Sequence, residues 1–177
     1  MTTEIILAGF GGQGILFTGK ILAYCGLMAG KELSWLPSYG PEMRGGTANC
    51  SVCISDDPIG SPLVANPDIL IAMNGPSFNK FIDAVKPGGL VLADSSIVDE
   101  ECKRDDITYI AMPATNIASE NNMNGSANMI LMGRMLVESG LFDMDTVRKA
   151  MEKCIPPKRA NLIEVNMKAV TMGAESK

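Results

Sequence analysis

Gly9-Phe10-Gly11-Gly12-Gln13-Gly14 follows the apolar run Ile5-Ile6-Leu7-Ala8 and precedes a helical pattern. The segment fits G-x-G-x-x-G in the strand–turn–helix setting that gives the motif its meaning. Glycines let the backbone turn tightly, the freed N–H groups converge on an anion, and the dipole of the following helix adds partial positive charge. The same glycines also suit a tight turn whose only purpose is packing, so two readings stand at this point. Gly14 to Lys20 spells G-x-x-x-x-G-K, the skeleton of a P-loop, but Ile21 stands where the magnesium-binding Ser or Thr belongs. ATP or GTP hydrolysis is therefore rejected. A dinucleotide site wants an acidic residue at the end of the second strand, to hold a ribose hydroxyl. Here that strand ends near Trp35-Leu36-Pro37-Ser38, and the nearby acid, Glu32, lies at its start, which disfavours NAD.

A second candidate is Pro37-Ser38-Tyr39-Gly40-Pro41-Glu42-Met43-Arg44-Gly45-Gly46. One guanidinium in a Gly-rich, nearly neutral segment suits a carboxylate, a phosphate or a cross-subunit pair. Pairing of Arg44 with Glu42 or with carbonyls of its own loop is the equal alternative. From Leu33 to Ile54 the only charged residues are Glu42 and Arg44. A surface loop so poor in charge is expected to be covered by a ligand or another chain.

Cys50 and Cys53 form the one C-x-x-C. A metal or iron–sulfur site needs about four ligands, and no second pair exists. On a strand, three-residue spacing sends the two side chains to opposite faces, so core thiols are the expected reading. Met129, Met132 and Met135, with Ile130, Leu131, Leu136 and Val137, make a helix apolar almost all round. Core packing is the default for such a helix, and an adaptable subunit contact is the second option. The charged run Asp99-Glu100-Glu101 beside Lys103-Arg104-Asp105-Asp106 reads as a solvated loop.

These residues need elements to position them. Strands are expected at Ile5–Gly9, Glu32–Leu36, Ala48–Ser55, Asp68–Met73, Leu90–Ala93 and Ile107–Met112, with helices at Gln13–Met28 and Ser77–Val85. The first helix places Ile15, Gly19, Leu22 and Gly26 on one stripe, and its glycines point to close approach of a neighbour. Lys86-Pro87-Gly88-Gly89 terminates the second helix. The last third is helical, at 126–139, 145–154 and 158–172, with Asp143 or Asp145 as a cap and Pro156-Pro157 as a break. Strands alternating with helices indicate β-α-β units. The expected fold is α/β, a three-layer α/β/α sandwich with a mostly parallel, Rossmann-like sheet and a helical C-terminal third.

Composition narrows function by exclusion. The 177 residues fit one domain, 1–177. They include no His, which removes the Ser-His-Asp triad, the Cys-His pair and imidazole metal sites. With 15 Lys+Arg against 20 Asp+Glu the net charge is −5, which argues against nucleic acid as the main partner. No apolar stretch reaches the roughly 18 residues of a membrane span, and no basic leader precedes the first strand. Five cysteines at irregular spacing read as free thiols in a reducing cytoplasm.

Three segments occur in a telling order: Gly9-Phe10-Gly11-Gly12-Gln13-Gly14, then Tyr39-Gly40-Pro41-Glu42-Met43-Arg44-Gly45-Gly46, then Pro113-Ala114-Thr115 followed by Ala127-Asn128. Together they resemble the gamma subunit of 2-oxoacid:ferredoxin oxidoreductases, the family acting on pyruvate, 2-oxoglutarate or branched-chain 2-oxoacids. The resemblance runs from about Thr3 to Leu136 and is weaker over the final helices. Its specificity lies in the two glycine motifs together.

The resemblance implies a division of labour. In the family, thiamine diphosphate with magnesium carries the decarboxylation, iron–sulfur clusters carry electrons to ferredoxin, and coenzyme A accepts the acyl group. The thiamine diphosphate and the clusters sit mainly on other chains, the alpha and beta subunits and in some assemblies a delta subunit. The present chain lacks a G-D-G…N-N stretch and a four-cysteine cluster motif, so it is expected to bind no cofactor or metal by itself and to be catalytically silent alone. Its implied role is structural, with one wall of the coenzyme A site formed by Gly9, Gly11, Gly12, Gln13, Gly14 and Arg44. Asn116 and Asn128 join that set from the later matching segments. Two other readings remain: a free-standing nucleotide- or phosphate-binding protein, and an assembly module with no ligand contact.

Overall fold

The middle strands are apolar on both faces, and this dictates the architecture. In β1 (Thr2–Phe10), Ile5 and Leu7 enter one hydrophobic cluster while Ile6 and Ala8 enter another. β4 (Ile69–Ala72) and β5 (Leu90–Asp94) alternate in the same way, Ile69, Ile71 and Leu92 against Leu70, Ala72, Val91 and Ala93. Strands buried on both faces need a covering layer on each side, hence the three-layer sandwich.

The computed structural model describes residues 1–38 and 47–176. With β2 (Glu32–Ser38), β3 (Thr47–Ser55) and β6 (Thr108–Met112), the six-stranded sheet runs β2-β3-β1-β4-β5-β6. The pairs β1–β4, β4–β5 and β5–β6 are parallel. β3 is antiparallel to both of its neighbours, with Leu7 opposite Cys50 and Trp35 opposite Val52. The sheet is thus mostly parallel, as expected, but β2 and β3 form no β-α-β unit. Much of the poorly charged 33–54 stretch therefore belongs to two paired strands rather than to one long loop, which accounts for part of its composition. Residues 39–46 of that stretch lie outside the described residues.

The layers are unequal. α1 (Ile15–Met28), α3 (Ala114–Glu120), α4 (Ala127–Ser139), α5 (Met144–Cys154) and α6 (Asn161–Glu175) all contribute to the first cluster. The opposite face is covered by α2 (Gly75–Phe81), the 3₁₀ turn Ile82–Ala84 and the loop carrying Val98. α2 starts where the Asn74 side chain accepts the Ser77 N–H at 2.8 Å, with Pro76 in the first turn. α5 is capped by Asp143 rather than Asp145, through the Thr146 N–H at 2.8 Å. The short α3 follows Pro113 and was not expected from periodicity, being only two turns long.

Met129, Met132 and Met135 are fully buried inside the chain's own core, so they are not available as an exposed contact surface. The charged 99–106 segment is also less solvated than its sequence suggests. Arg104 donates to the Ile82 and Val85 carbonyls at 2.9 and 2.6 Å and forks onto Asp106 at 2.8 and 2.5 Å. At the edge of the sheet where β1 and β4 begin, Lys86 bridges Glu4 and Asp68 at 2.8 and 2.9 Å. The side chain of Asp68 also accepts the Glu4 N–H at 2.8 Å, tying these strand starts together.

α4 and α6 touch backbone to backbone. A Cβ at Gly133 would lie 1.9 Å from the Val170 carbonyl oxygen, and one at Gly173 would lie 1.8 Å from that of Ile130. The two glycines sit reciprocally at one crossing, and neither obstacle is a side chain able to move aside. Gly133→Ala is expected to lower stability by about 3 kcal/mol through overpacking, read as a fall in the urea midpoint. A midpoint within error of wild type would show that the helices separate freely there.

Candidate functional site

β1 leaves the sheet at its carboxyl end, where the connections diverge. α1 covers one face on the way to β2, and the next parallel neighbour of β1 is β4, whose own helix covers the other face. In open α/β sheets this switch point is where ligands settle. Residues Gly9–Gly14 form the turn there.

The turn is built from specific contacts. Gly12 has φ 92° and Gly14 φ 77°, left-handed conformations in which a side chain is strained. The Gln13 carboxamide folds back over the turn: its Oε1 accepts the Phe10 N–H at 2.6 Å, and its Nε2 donates to the Met73 carbonyl at 3.0 Å. Asn128, buried at the start of α4, donates to the Gly14 carbonyl at 3.2 Å and to Thr18 Oγ1 at 3.0 Å. Among the described residues no acceptor pairs with the N–H groups of Gly11, Gly12 or Gly14. Gly11 and Gly12 are exposed. Unpaired amides at the entry of a 14-residue helix are an arrangement suited to an anion.

Two cavities flank the turn. One, of about 220 Å³, lies between Gly12–Gln13, Met73 and Ile97 on one side and Thr115 and Gly125 on the other. The second, of about 270 Å³, lies towards β3, against Phe10, Leu16, Phe17 and Ala48. Among the described residues neither is lined by a charged side chain. Any anion there is met by backbone dipoles and, in the first cavity, by the neutral polar residues Gln13, Thr115 and Asn124, with charge neutralisation left to groups outside these walls. A larger cavity of about 310 Å³ opens at the opposite edge, by Thr3, Asp68 and Thr108, where β1, β4 and β6 begin. It lies at the amino ends of the parallel strands, whereas ligands of open α/β sheets settle at the carboxyl ends.

The expected site residues are partly brought together. Gly9, Gly11, Gly12, Gln13 and Gly14 form the turn, and Asn128 packs directly on it. Asn116 is exposed in the first turn of α3, its N–H donating to Ser96 Oγ at 3.1 Å, and it does not line the cavity beside the turn. Arg44 lies outside the described residues. The P-loop reading fails on geometry too, since Lys20 is inside α1 with Nζ 5.9 Å from the Tyr24 ring centroid.

Sequence reasoning missed the support behind the rim. Asp94 is completely buried at the end of β5 and accepts Thr115 Oγ1–H at 2.5 Å, the Thr115 N–H at 3.2 Å and the Ser96 N–H at 3.1 Å. This carboxylate fixes Thr115 at the cavity wall. Its signal was the Asp closing an apolar strand, a polar residue where another aliphatic one would pack. Thr18 was missed because a threonine one turn into a helix has no distinctive pattern.

A family model described as pyruvate ferredoxin/flavodoxin oxidoreductase matches residues 4–176. The chain belongs to this family. It is 40% identical over 174 residues to the ketoisovalerate oxidoreductase subunit VorA of Methanothermobacter marburgensis, across 97% of this chain and 36% of that one. It is 36% identical over 178 residues to the 2-oxoglutarate synthase subunit KorC of Methanocaldococcus jannaschii, across 99% and 94% of the two chains. The gamma subunit of a keto/oxoacid ferredoxin oxidoreductase from Geobacter sulfurreducens superposes with a TM-score of 0.82 at 31% identity, over 98% of this chain and 96% of that one. The resemblance to gamma subunits thus extends through the final helices, further than the motifs alone carried it. The chain spans only 36% of the length of the VorA relatives.

The cysteines of this family member are packing groups. Cys50 faces α1, its Sγ 3.7 Å from the Ile15 carbonyl, whereas Cys53 lies on the other face beside Glu4 at 4.0 Å. Burial pushes the thiols of Cys25 and Cys50 each up to about 12.

Two predictions follow from this geometry. At Gly12 the space for a Cβ is open, whereas at Gly14 a Cβ would lie 2.3 Å from Asn128 Nδ2. Gly12→Ala is expected to cost about 1 kcal/mol from backbone strain alone, and Gly14→Ala clearly more, in paired denaturation curves; equal losses would refute the Asn128 seat. The folded chain also keeps the protons of Cys25 and Cys50 to higher pH than the unfolded chain does. Stability is therefore full below the ordinary thiol range near 9 and declines as pH rises through it towards 12. Iodoacetamide at pH 8 should leave both residues unmodified in the native chain and label them in guanidinium, as judged by peptide mass spectrometry.

Proposed function

We propose that residues 1–177 act as one unit, the gamma subunit of a cytoplasmic 2-oxoacid:ferredoxin oxidoreductase. The whole complex oxidatively decarboxylates a 2-oxoacid, 2-oxoglutarate or a similar acid. Coenzyme A takes the acyl group as a thioester, carbon dioxide leaves, and the electron pair passes to ferredoxin one electron at a time. Thiamine diphosphate with magnesium and the iron–sulfur clusters belong, on this reading, to the alpha and beta partners, with a delta subunit in some assemblies. When bound, the thiamine group supplies the carbanion-stabilising chemistry.

The observation that carries the reading is the exposed Gly11–Gly12 turn, with amides unpaired among the described residues, at the switch point of a chain belonging to this family. A diphosphate fits such donors. This chain's part is to hold the coenzyme A diphosphate on the turn and to orient the thiol arm towards the partner-borne reaction centre. On this reading Arg44, in the glycine-rich segment 37–46 of the sequence, supplies a guanidinium for phosphate. A 2-oxoglutarate:ferredoxin oxidoreductase from Magnetococcus marinus has been solved with 2-oxoglutarate, coenzyme A and succinyl-CoA bound, and it shares this fold with a TM-score of 0.85 at 24% identity, over 98% of this chain and 30% of that one. No helix among the described residues is long and apolar enough to cross a membrane.

Co-expression with the alpha and beta chains is expected to give a complex that reduces ferredoxin only when a 2-oxoacid and coenzyme A are both present. Arg44→Ala should raise the KM for coenzyme A roughly tenfold, the loss of one charge-assisted contact, and leave the KM for the 2-oxoacid unchanged. A complex that forms but keeps its coenzyme A KM in both Arg44→Ala and Gly12→Val would assign the chain a purely structural role.

A further inference from the structure

The glycines of the turn are glycines for different reasons, and two of them make room for carboxamides. A Cβ on Gly9 would lie 2.5 Å from Gln13 Oε1 and 3.0 Å from Met73 Cβ. One on Gly14 would lie 2.3 Å from Asn128 Nδ2. Gly12 has open space around it and needs only its positive φ. The bends at either side of Gly11–Gly12 are therefore seats for Gln13 and Asn128.

The bonds those carboxamides make join separate parts of the chain. Gln13 links the end of β1, at Phe10, to the residue just past β4, at Met73. It thus spans the two strands that flank the switch point. Asn128 links α4 to the first turn of α1, through the Gly14 carbonyl and the Thr18 hydroxyl, and Thr18 Oγ1–H donates to the same carbonyl at 3.1 Å. Both N–H bonds of the Asn128 amide are committed to protein oxygens, and its Oδ1 is buried without a partner among the described residues. The Gln13 oxygen is directed at a protein N–H. Asn128 has no N–H left to offer a phosphate.

We propose that Gln13 and Asn128 are positioning residues, which fix the turn so that the N–H groups of Gly11 and Gly12 stay unpaired among the described residues, and that Asn128, with both its N–H groups committed, does not touch the anion. This rests on the coenzyme A reading above, gives Gln13 a positioning role and reassigns Asn128, expected there as a direct contact. Neutral amides suit the task. A carboxylate at position 13 would keep an acceptor for the Phe10 N–H but lose the donor to Met73 and set a negative charge beside the anion. A preformed cradle avoids ordering the glycine-rich backbone, the most entropically costly kind, at the moment of binding.

Two readouts test the proposal. In the full chain, Gln13→Ala is expected to speed hydrogen exchange at the Phe10 amide with no ligand present. In the complex with alpha and beta chains, the same variant should raise the KM for coenzyme A roughly tenfold, the scale of a hydrogen bond or two, while the KM for the 2-oxoacid stays put. Gln13→Glu should raise it further and make it salt-dependent. Thr18→Val, which removes one Asn128 partner at nearly constant volume, serves where Asn128→Ala does not fold, and should shift the coenzyme A KM in the same direction. Unchanged Phe10 exchange in Gln13→Ala would overturn the latch itself. A coenzyme A KM that moves in Gly12→Val but not in Gln13→Ala or Thr18→Val would overturn positioning alone; one that moves in none of the three would take the coenzyme A reading down with it.

Discussion

Gln13 can bridge Phe10 and Met73 only because position 9 carries no side chain. That single vacancy lets β1 end in a turn that is tied sideways to β4 rather than merely following its own chain. The tie matters because β1 is the strand on which the fold is organised: it pairs with β3 on one side and β4 on the other, and it is buried on both faces. The turn is tied to the sheet through one carboxamide and two hydrogen bonds. The opposite end of β1 is held differently, by the ionic contacts among Glu4, Asp68 and Lys86. Charges hold the end that presents no anion-suited turn, and neutral amides hold the end that does.

Much of the fold was legible in the residues. Strands buried on both faces announce themselves as apolar runs, and each expected strand is present within a few residues. The direction of β3 was not legible from its pattern, because alternation of apolar side chains reads the same in either sense. The available clue was length: residues 39–46 are too few for the crossover of about a dozen residues that a parallel pair demands. Gly133 and Gly173 were also passed over. A glycine in a helix has a propensity cost wherever it stands, but only the three-dimensional crossing of α4 and α6 reveals that the two repay it at the same point.

The site was legible in outline and not in role. The hexapeptide from Gly9 to Gly14 and the Ala127–Asn128 pair stand out in the sequence, and the fold brings Gly14 and Asn128 into contact. Their sequence spacing says nothing of which atoms face outward. Gln13 and Asn128 look like ligand groups because amides commonly are, yet the donors and acceptors engaged in their observed bonds are directed at protein atoms. Asp94 shows the converse: a buried carboxylate reads as a packing error until its Thr115 and Ser96 donors are seen.

A cradle made of backbone amides has a physical consequence for how such a chain must work. Coenzyme A is a polyanion, the chain carries a net charge of −5, and neither cavity beside the turn is lined by a charged side chain among the described residues. Peptide dipoles give direction and geometry but only partial charge. On the coenzyme A reading, affinity must therefore be completed by full cations placed by Arg44 and by a neighbouring polypeptide. A site shared in this way depends on the two surfaces meeting, not on how their chains are joined. That fits a family in which this unit matches nearly all of one relative, KorC, and 36% of another, VorA. On that reading the turn meets the same demand in a longer chain as in a short one, which is to arrive already shaped.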